Sequence, residues 1–322
     1  MGQAQTNPFP FSNTNKRYHT YAYYLNQTFG GKCAKLPIDA GLTCPNIDGR
    51  CGRGGCTYCS GRGSGDFALD AHRSVAEQIR EQRALLSHKW DTSRCIAYFQ
   101  AHSNTYAPLS HLKVLYEEAL AEEGIVGLNI ATRADCLEAD VVDYLAELAE
   151  GTVLTLELGL QTVHDETARR IHRGHTFEDF CRGFQALRKA SGKIRIGVHL
   201  ILGLPGEDAN AMMESIDAVA GLHPEEVKLH LLHVLRGTAL GESYLRGEYS
   251  PLAQEEYACL VADALERLPA DVVIGRLTGD GAAADLLAPC WSRDKKRVIN
   301  AIDQLLYSRG TYQGFLYDQR NR

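Results

Sequence analysis

The sequence predicts an α/β fold, an open and partial (β/α)6 TIM-like barrel with an α-rich C-terminal extension. Through the middle of the chain, short apolar runs of strand length alternate with longer segments of helical periodicity. Six such repeats are visible, whereas a full TIM barrel has eight. Strands separated by helices at this spacing form parallel βαβ units with right-handed crossovers, so we expect one parallel sheet.

The individual elements follow from periodicity and from capping residues. Ser74 and Asp208 are suited to begin two helices, because their side-chain oxygens accept from free backbone N–H groups. Gly124, Gly151 and Gly192 are expected to end helices. The predicted strands are 35–39, 95–100, 126–132, 153–158, 194–202 and 227–234, and the predicted helices between them are 74–86, 109–122, 139–149, 177–190 and 209–220.

We expect three parts along the chain: an N-terminal strap at 1–15, either polar or disordered, the barrel at 16–240, and an extension at 241–322 packed on it. After Leu235 a Gly-rich loop opens the extension. A helix at 251–268, a short strand at 272–275 and a last helix at 294–307 are predicted there. No Pro/Ser-rich linker and no internal repeat separates the parts, which favours a single catalytic unit.

Charge and hydropathy exclude several classes of protein. The 322 residues carry a formal net charge of −6, which argues against wholesale wrapping of nucleic acid. The longest apolar run, around 197–204, is too short to span a bilayer, and the N-terminus lacks the apolar core of a secretory signal. We therefore expect a cytoplasmic protein without a membrane partner.

Two local basic patches stand out against this acidic background. Each is either a phosphate-binding face or an ordinary solvated helix face. The first patch consists of Arg169, Arg170, His172, Arg173 and His175, and the second of Arg293, Lys295, Lys296 and Arg297.

The stretch CPNIDGRCGRGGCTYCS holds four of the ten cysteines, Cys44, Cys51, Cys56 and Cys59. A chain without an export signal keeps its thiols reduced, so this group indicates a metal site rather than disulfides. The interspersed glycines let the backbone wrap closely around a bulky group. Four thiolates on one ion would form a structural zinc site, whereas three would leave the open position of a reactive iron–sulfur cluster. The spacing alone fits both.

Further motifs follow in order: LPIDAGLTCPNIDG and GRGGCTYC, then ATRADCL, LELGLQT, GVHLILGLPGE, VKLHLLHVLRGT and RLTGD. This series resembles the radical SAM superfamily, and more closely the bacterial YtqA/YhcC-type (MnmL-like) family. That family is related to the radical SAM domain of the Elongator catalytic subunit and lacks its acetyltransferase domain. The resemblance extends from about residue 16 to residue 312.

The resemblance implies a partial barrel of the radical SAM type and two cofactors, a [4Fe–4S] cluster and S-adenosylmethionine. Three cysteines bind three irons, and the fourth iron chelates the methionine amino and carboxylate groups. One electron from the cluster cleaves a carbon–sulfur bond and gives a 5′-deoxyadenosyl radical that abstracts hydrogen from the substrate. A one-electron reductant such as flavodoxin or ferredoxin is implied as a partner.

The family pattern also implies the cluster ligands. Its first ligand lies in a T-C-P-N segment and the other two in G-G-C-x-x-C, which maps onto Cys44, Cys56 and Cys59. Cys51 stands where the family does not require a cysteine. The alternative set of Cys51, Cys56 and Cys59 is closer to the C-x-x-x-C-x-x-C spacing common in the superfamily.

The residues predicted to bind S-adenosylmethionine follow the ends of successive strands. Gln100 and Asn104 stand where the superfamily often has a Gly-Gly-Glu turn for the methionine amino group, although the turn itself is absent. Arg133 is a candidate for the methionine carboxylate, because a guanidinium fork matches a carboxylate. Glu157 is predicted to accept both ribose hydroxyls, with Gln161 assisting.

Three histidines, His199, His230 and His233, are candidates for the wall of the substrate chamber. Successive side chains of a strand point to opposite faces. We therefore expect only one of His230 and His233 to line the chamber.

Three functions are compatible with these observations. Kinship with Elongator favours a radical SAM enzyme that modifies tRNA, at the 5-substituent of a wobble uridine. The acidic net charge also fits the same chemistry on a small metabolite. The third function is a zinc-stapled RNA-binding protein without catalysis, which would be colourless, whereas an iron–sulfur protein is brown and bleaches with dithionite.

Overall fold

The computed structural model describes residues 7–63, 65, 68–279 and 284–320. Within them, seven parallel strands form one curled sheet. The strands are β1 (Ala34–Ile38), β2 (Cys95–Phe99), β3 (Ile125–Thr132), β4 (Val153–Gln161), β5 (Arg195–Leu202), β6 (Glu226–Leu231) and β8 (Val273–Arg276), with β7 (Val234–Leu235) and β9 (Leu286–Ala288) forming a small antiparallel pair. Because spatial order follows chain order, the partial barrel predicted from the sequence is confirmed.

Helices cover the outer face of this sheet. The five predicted helices are confirmed to within about two residues; Ser74 Oγ accepts from Glu77 N and Asp208 Oδ1 from Ala211 N, as expected of capping residues. The described residues contain no helix of the length and apolarity that a membrane span requires. The helices are α1 (Tyr21–Phe29), α2 (Val75–Ser87), α3 (Leu109–Ala121), α4 (Ala139–Gly151), α5 (Asp165–Arg170), α6 (Phe177–Ala190), α7 (Ala209–Leu222), α8 (Ala239–Leu245), α9 (Gln254–Arg267), α10 (Lys295–Arg309) and α11 (Phe315–Arg320).

The structure corrects the predicted number of strands from six to seven. The strand predicted at 272–275 was assigned to the extension, but β8 pairs in parallel with β6, with Val273 opposite Glu226 and Ile274 opposite Val227. Helix α9, also assigned to the extension, is the crossover between these two strands. A four-residue strand is too short for its periodicity to show which strand it pairs with. The pairing of β8 with β6 depends instead on tertiary packing, in which α9 lies against α7.

The N-terminal segment links the two edges of the sheet. Residues 1–6 of the predicted strap lie outside the described residues. From residue 7 the chain is packed: Phe9 is buried, with its ring 6.3 Å from that of Tyr312. Ile274 N then donates to His19 O (2.8 Å), which extends the edge at β8, and α1 carries the chain across to β1.

Side-chain alternation along the strands divides the core from the site. On β4, Leu154, Leu156 and Leu158 are fully buried in the hydrophobic core beneath the helices. The alternate residues Glu157 and Gly159 line the barrel interior. Each buried leucine stabilises the fold by roughly 1.5–3 kcal/mol, so one face of the sheet supplies stability and the other is left for polar groups.

Candidate active site

A cavity of about 260 Å³ lies inside the barrel at the carboxyl ends of the strands. Its wall includes Gln100 after β2, Thr132 at the end of β3, Gln161 at the end of β4 and Leu231 at the end of β6. This is the edge at which barrel enzymes place their functional loops.

The loop after β1 brings three cysteines to this cavity. Cys44, Cys56 and Cys59 line it, whereas Cys51 is exposed and does not. Backbone turns fix the loop, since Ile47 N donates to Cys44 O (2.8 Å) and Cys59 N to Cys56 O (3.1 Å).

Two consecutive glycines in this loop have a backbone conformation that side chains disfavour. Gly54 and Gly55 both have positive φ angles, 83° and 79°. Tandem left-handed residues are accessible at little cost only to glycine. The glycines of the motif are therefore needed to bring Cys56 back over the cavity.

The thiols of Cys56 and Cys59 interact through a hydrogen bond. A hydrogen bond from Cys59 and the positive charge of Arg173 hold the pKa of Cys56 well below its ordinary value, against the effect of burial. The same hydrogen bond and burial raise the pKa of Cys59. Cys56 is thus prepared as a thiolate, the form that binds metal.

The chemistry of the donors suits an iron–sulfur cluster. In the described part of the chain, no three Cys, His, Asp or Glu side chains converge as the ligands of one metal ion would. Three cysteines that line the same cavity suit a [4Fe–4S] cluster, in which each thiolate binds a different iron.

A layer of buried polar residues forms the inner wall of the barrel around Glu157. Glu157 is 1% exposed. Its carboxylate oxygens accept from donors on five other strands: Lys35 Nζ of β1 (3.4 Å), Tyr98 OH of β2 (2.6 Å), Asn129 Nδ2 of β3 (2.8 Å), His199 Nε2 of β5 (3.0 Å) and Lys228 Nζ of β6.

The ionisable groups of this layer, together with burial, shift one another's pKa values. Burial would raise the pKa of Glu157, but Lys228 and Lys35 outweigh burial and hold that pKa well below its ordinary value. Burial lowers the pKa of Lys228 to about 8 and that of His199 to about 4, so His199 is neutral at pH 7. With its lone pairs engaged by these donors, Glu157 anchors this layer, and since it also lines the cavity its binding of the ribose hydroxyls stays a prediction.

The two lysine partners of Glu157 were not predicted from the sequence. Lys228 in VKLHLLHV and Lys35 in AKLPI each interrupt a strand of apolar residues. That interruption was the available signal, because a lysine is almost never fully buried unless it is paired.

Two other predicted cofactor residues are engaged within the protein. The guanidinium of Arg133 is paired with both oxygens of Asp135 (2.9 and 2.7 Å) and donates to Arg173 O (2.7 Å). Asn104 is fully buried and donates to Ala101 O and Ala131 O (both 2.9 Å). Arg133 lines the cavity, but Asn104 does not and instead fixes the loop after β2.

Gln100 and Gln161 remain directed at the cavity. Both line it, and Gln100 Nε2 is buried without a hydrogen-bond partner. Gln161 has a φ angle of +76°, which is uncommon outside glycine and turns its side chain at the end of β4.

The expectation for the histidines was wrong. His199, His230 and His233 all line the cavity, and the rings of His199 and His230 lie 5.0 Å apart. Strand β6 ends at Leu231, so alternation no longer applies at His233. The Nε2 atoms of His230 and His233 are buried without partners.

Comparison with known proteins identifies the class of enzyme to which this site belongs. The model of the radical SAM superfamily matches residues 46–219, and that of the Radical_SAM C-terminal domain matches residues 224–308. The chain belongs to the radical SAM superfamily. Cys44 lies two residues before the first matched stretch, which contains Cys51, Cys56 and Cys59.

Individual relatives are similar over nearly the whole chain. YtqA of Bacillus subtilis is 47% identical over 98% of this chain and 97% of its own length, and YhcC of Escherichia coli is 35% identical over 89% and 91%. A tRNA uridine(34) acetyltransferase of Methanocaldococcus jannaschii is 34% identical over 50% of this chain and 29% of its own length. The structure of Elp3 from Methanocaldococcus infernus has the same fold, with a TM-score of 0.63 at 18% identity over 90% of this chain and 68% of that one.

Membership of this superfamily establishes the cofactors as a [4Fe–4S] cluster and S-adenosylmethionine. The prediction of both cofactors is confirmed, and iron–sulfur rather than zinc is the metal centre. The individual ligands stay predictions.

The first prediction concerns the cluster ligands. Replacing Cys44, Cys56 or Cys59 with Ala should abolish the cluster, because each would supply one of three protein ligands. Cys51→Ala is the matched control and should retain full iron and sulfide. These contents and the visible spectrum are measured after anaerobic reconstitution. A Cys51→Ala protein without the cluster, beside a Cys44→Ala protein that keeps it, would establish the alternative set.

The second prediction distinguishes two roles of Glu157, the stabilisation of the polar layer and the binding of the ribose hydroxyls. Glu157→Gln should lower the free energy of unfolding by about 3–5 kcal/mol, because the buried ammonium group of Lys228 and the half-buried one of Lys35 lose their counter-charge. Glu147→Gln, on the exposed face of α4, should change it little. Urea unfolding measures both. Wild-type stability combined with weaker binding of S-adenosylmethionine would instead support the ribose role.

Proposed function

We propose that this chain is a radical SAM enzyme that modifies tRNA at the 5-substituent of a wobble uridine. The observation that carries the proposal is the sequence it shares, over half its length, with a protein named for its action on uridine 34 of tRNA. The architecture of the cavity and the charges at its mouth agree with a nucleotide substrate.

The cavity is organised from the cluster loop inward. We propose Cys44, Cys56 and Cys59 as the residues that hold the cluster, and Gln100, Arg133 and Gln161 as those around S-adenosylmethionine. When bound, these cofactors supply the one-electron cleavage of a carbon–sulfur bond that yields a hydrogen-abstracting species. Residues of the layer around Glu157 line this cavity, and we propose that the barrel wall shields that chemistry from water.

The inner wall offers hydrogen-bond donors that suit a pyrimidine. Three side-chain nitrogens are buried and have no hydrogen-bond partner in the protein: Gln100 Nε2, His230 Nε2 and His233 Nε2. Burial lowers the pKa of His230 and brings that of His233 to about 4, so both rings are neutral and each carries one N–H. Uracil has two carbonyl acceptors and one N–H donor, so it can pair with the amide N–H of Gln100 and with a neutral imidazole nitrogen in either tautomer once the base leaves the anticodon loop.

The first basic patch is smaller than the sequence suggested. Arg173 and His175 are buried, whereas Arg169, Arg170 and His172 stay exposed. Charged side chains that point inward cannot contact a backbone phosphate. This patch is therefore reduced to three residues.

The second basic patch includes a charge that acts on a residue of the cavity wall. Lys295, Lys296 and Arg297 are exposed in the first turn of α10. The charge of Lys295 contributes to lowering the pKa of His233, which lines the cavity. We propose that this turn of α10 contacts tRNA phosphates while the base enters the barrel.

Other features of the proposal follow from this reaction. Its electron comes from a one-electron donor such as flavodoxin or ferredoxin, and its place is the cytoplasm. Residues 16–240 are proposed to perform the chemistry, and residues 241–322 to supply the tRNA-binding turn of α10 as well as the seventh strand.

The third prediction tests the patch on α10. The double variant Lys295→Glu with Lys296→Glu should weaken binding to every tRNA and reduce the salt slope by about one for each lost phosphate contact. The control, Lys189→Glu with Lys193→Glu, makes the same charge change at the opposite end of the barrel, near the start of β5. Filter-binding titrations across salt concentrations compare the two. Equal affinities would mean that the patch is an ordinary solvated surface.

The fourth prediction tests the substrate. Cells without this gene should lack one modified nucleoside, or accumulate its precursor, at the wobble position of a subset of tRNAs. Mass spectrometry of tRNA digests detects the change, with a Cys56→Ala copy as the inactive control. Identical nucleosides with and without the gene would contradict a tRNA substrate and favour a small metabolite.

A further inference from the structure

Asn46 makes a direct contact with one of the proposed cluster ligands. Its Nδ2 donates to Cys56 Sγ (3.4 Å) and to His172 O, and the side chain is 3% exposed. Gly55 N donates to the backbone carbonyl of Asn46 (2.9 Å). The cluster loop therefore folds back onto the residue that follows Pro45.

The amide of Asn46 is held in place by two glycines. A Cβ atom at Gly52 would lie 2.5 Å from Asn46 Oδ1, and one at Gly174 would lie 2.7 Å from it. Real Cβ contacts are not that short, so the absence of both side chains lets the loop and the segment after α5 close on the amide. The direction of the N–H towards the sulfur is thereby fixed.

The same segment places a buried cation at the cluster end of the cavity. Arg173 is 6% exposed, lines the cavity with Cys56 and Cys59, and donates to Gly159 O. Thr57 N donates to Ile171 O (3.0 Å), which ties the segment to the loop between the two cysteines. The charge of Arg173 is therefore fixed beside the proposed ligands.

Hydrogen bonds to ligand sulfurs, nearby charge and solvent exposure set the reduction potential of an iron–sulfur cluster. Reduction adds one negative charge, which an N–H donor and a buried cation both stabilise in a medium of low dielectric constant. We propose that Asn46 and Arg173 are positioning residues that raise the reduction potential of the cluster, Asn46 through its hydrogen bond to Cys56 Sγ and Arg173 through its charge. The inference rests on the ligand set and function proposed above.

The test uses near-isosteric variants with matched controls. Asn46→Asp replaces the donor with an acceptor, Arg173→Gln removes the charge, and Arg173→Lys keeps it. Asn210→Asp and Arg170→Gln make the same chemical changes at exposed positions. Each full-length protein is reconstituted anaerobically, its iron and sulfide are measured, and its midpoint potential is determined by titration followed by electron paramagnetic resonance.

We expect Asn46→Asp and Arg173→Gln each to reduce the ratio of reduced to oxidised cluster at a fixed potential about tenfold, which is a 59 mV lower midpoint for one electron. Arg173→Lys and both controls should stay within twofold of the wild-type ratio. If Asn46→Asp binds less than full iron, Asn46→Ala is measured in its place with the same expectation.

Wild-type midpoints in iron-loaded Asn46 and Arg173 variants would overturn the inference, since tethering of the loop alone does not move the potential. An Arg173→Lys protein that behaves like Arg173→Gln would overturn the part assigned to charge. The Cys56→Ala protein separates this failure from that of the ligand set. If the Cys56→Ala protein lacks the cluster, Cys56 remains a ligand and only the inference about the reduction potential fails. If the Cys56→Ala protein keeps the cluster, both the ligand assignment and the inference fail.

Discussion

The buried carboxylate of Glu157 is the group around which the polar interior of the barrel is arranged. It accepts hydrogen bonds from Lys35, Tyr98, Asn129, His199 and Lys228, which lie on five different strands. Transferring such charges from water into a protein costs several kcal/mol per ion, so each group is tolerated only because the others are present. The layer therefore joins the strands from within, while the leucines and isoleucines of the alternate positions join them to the helices from outside.

The separation of the polar inner face of the sheet from its apolar outer face explains the position of the site. Residues of the layer line one cavity together with the cysteines, glutamines and histidines at the strand ends. The cluster loop has little secondary structure of its own. It is fixed by contacts with the segment after α5 and with α8, since Thr57 N donates to Ile171 O and Leu240 N to Thr57 O. Reactivity is thus placed on a loop, and the rigid barrel determines where that loop lies.

Much of the architecture could be predicted because it depends on local patterns. The alternation of strand and helix periodicity gave the parallel sheet, and the capping residues Ser74 and Asp208 gave two helix starts to the residue. The order of the cysteine motif and later segments led to the correct superfamily and cofactors. The prediction assigned the short strand β8 to the extension, which was wrong. The sequence of a four-residue strand does not show that it pairs with a strand 40 or more residues away.

By itself, the sequence determined the fold class and the family, and it supplied the cysteines proposed as cluster ligands, because each is encoded in periodicity or in the spacing of a motif. Only the tertiary structure decided how polar side chains are used. It showed that Arg133 is already paired with Asp135, that Asn104 does not line the cavity, and that His230 and His233 both do. The physical reason is that a buried polar group takes its role from the donors and acceptors that the fold brings within about 3 Å, and these come from distant parts of the chain.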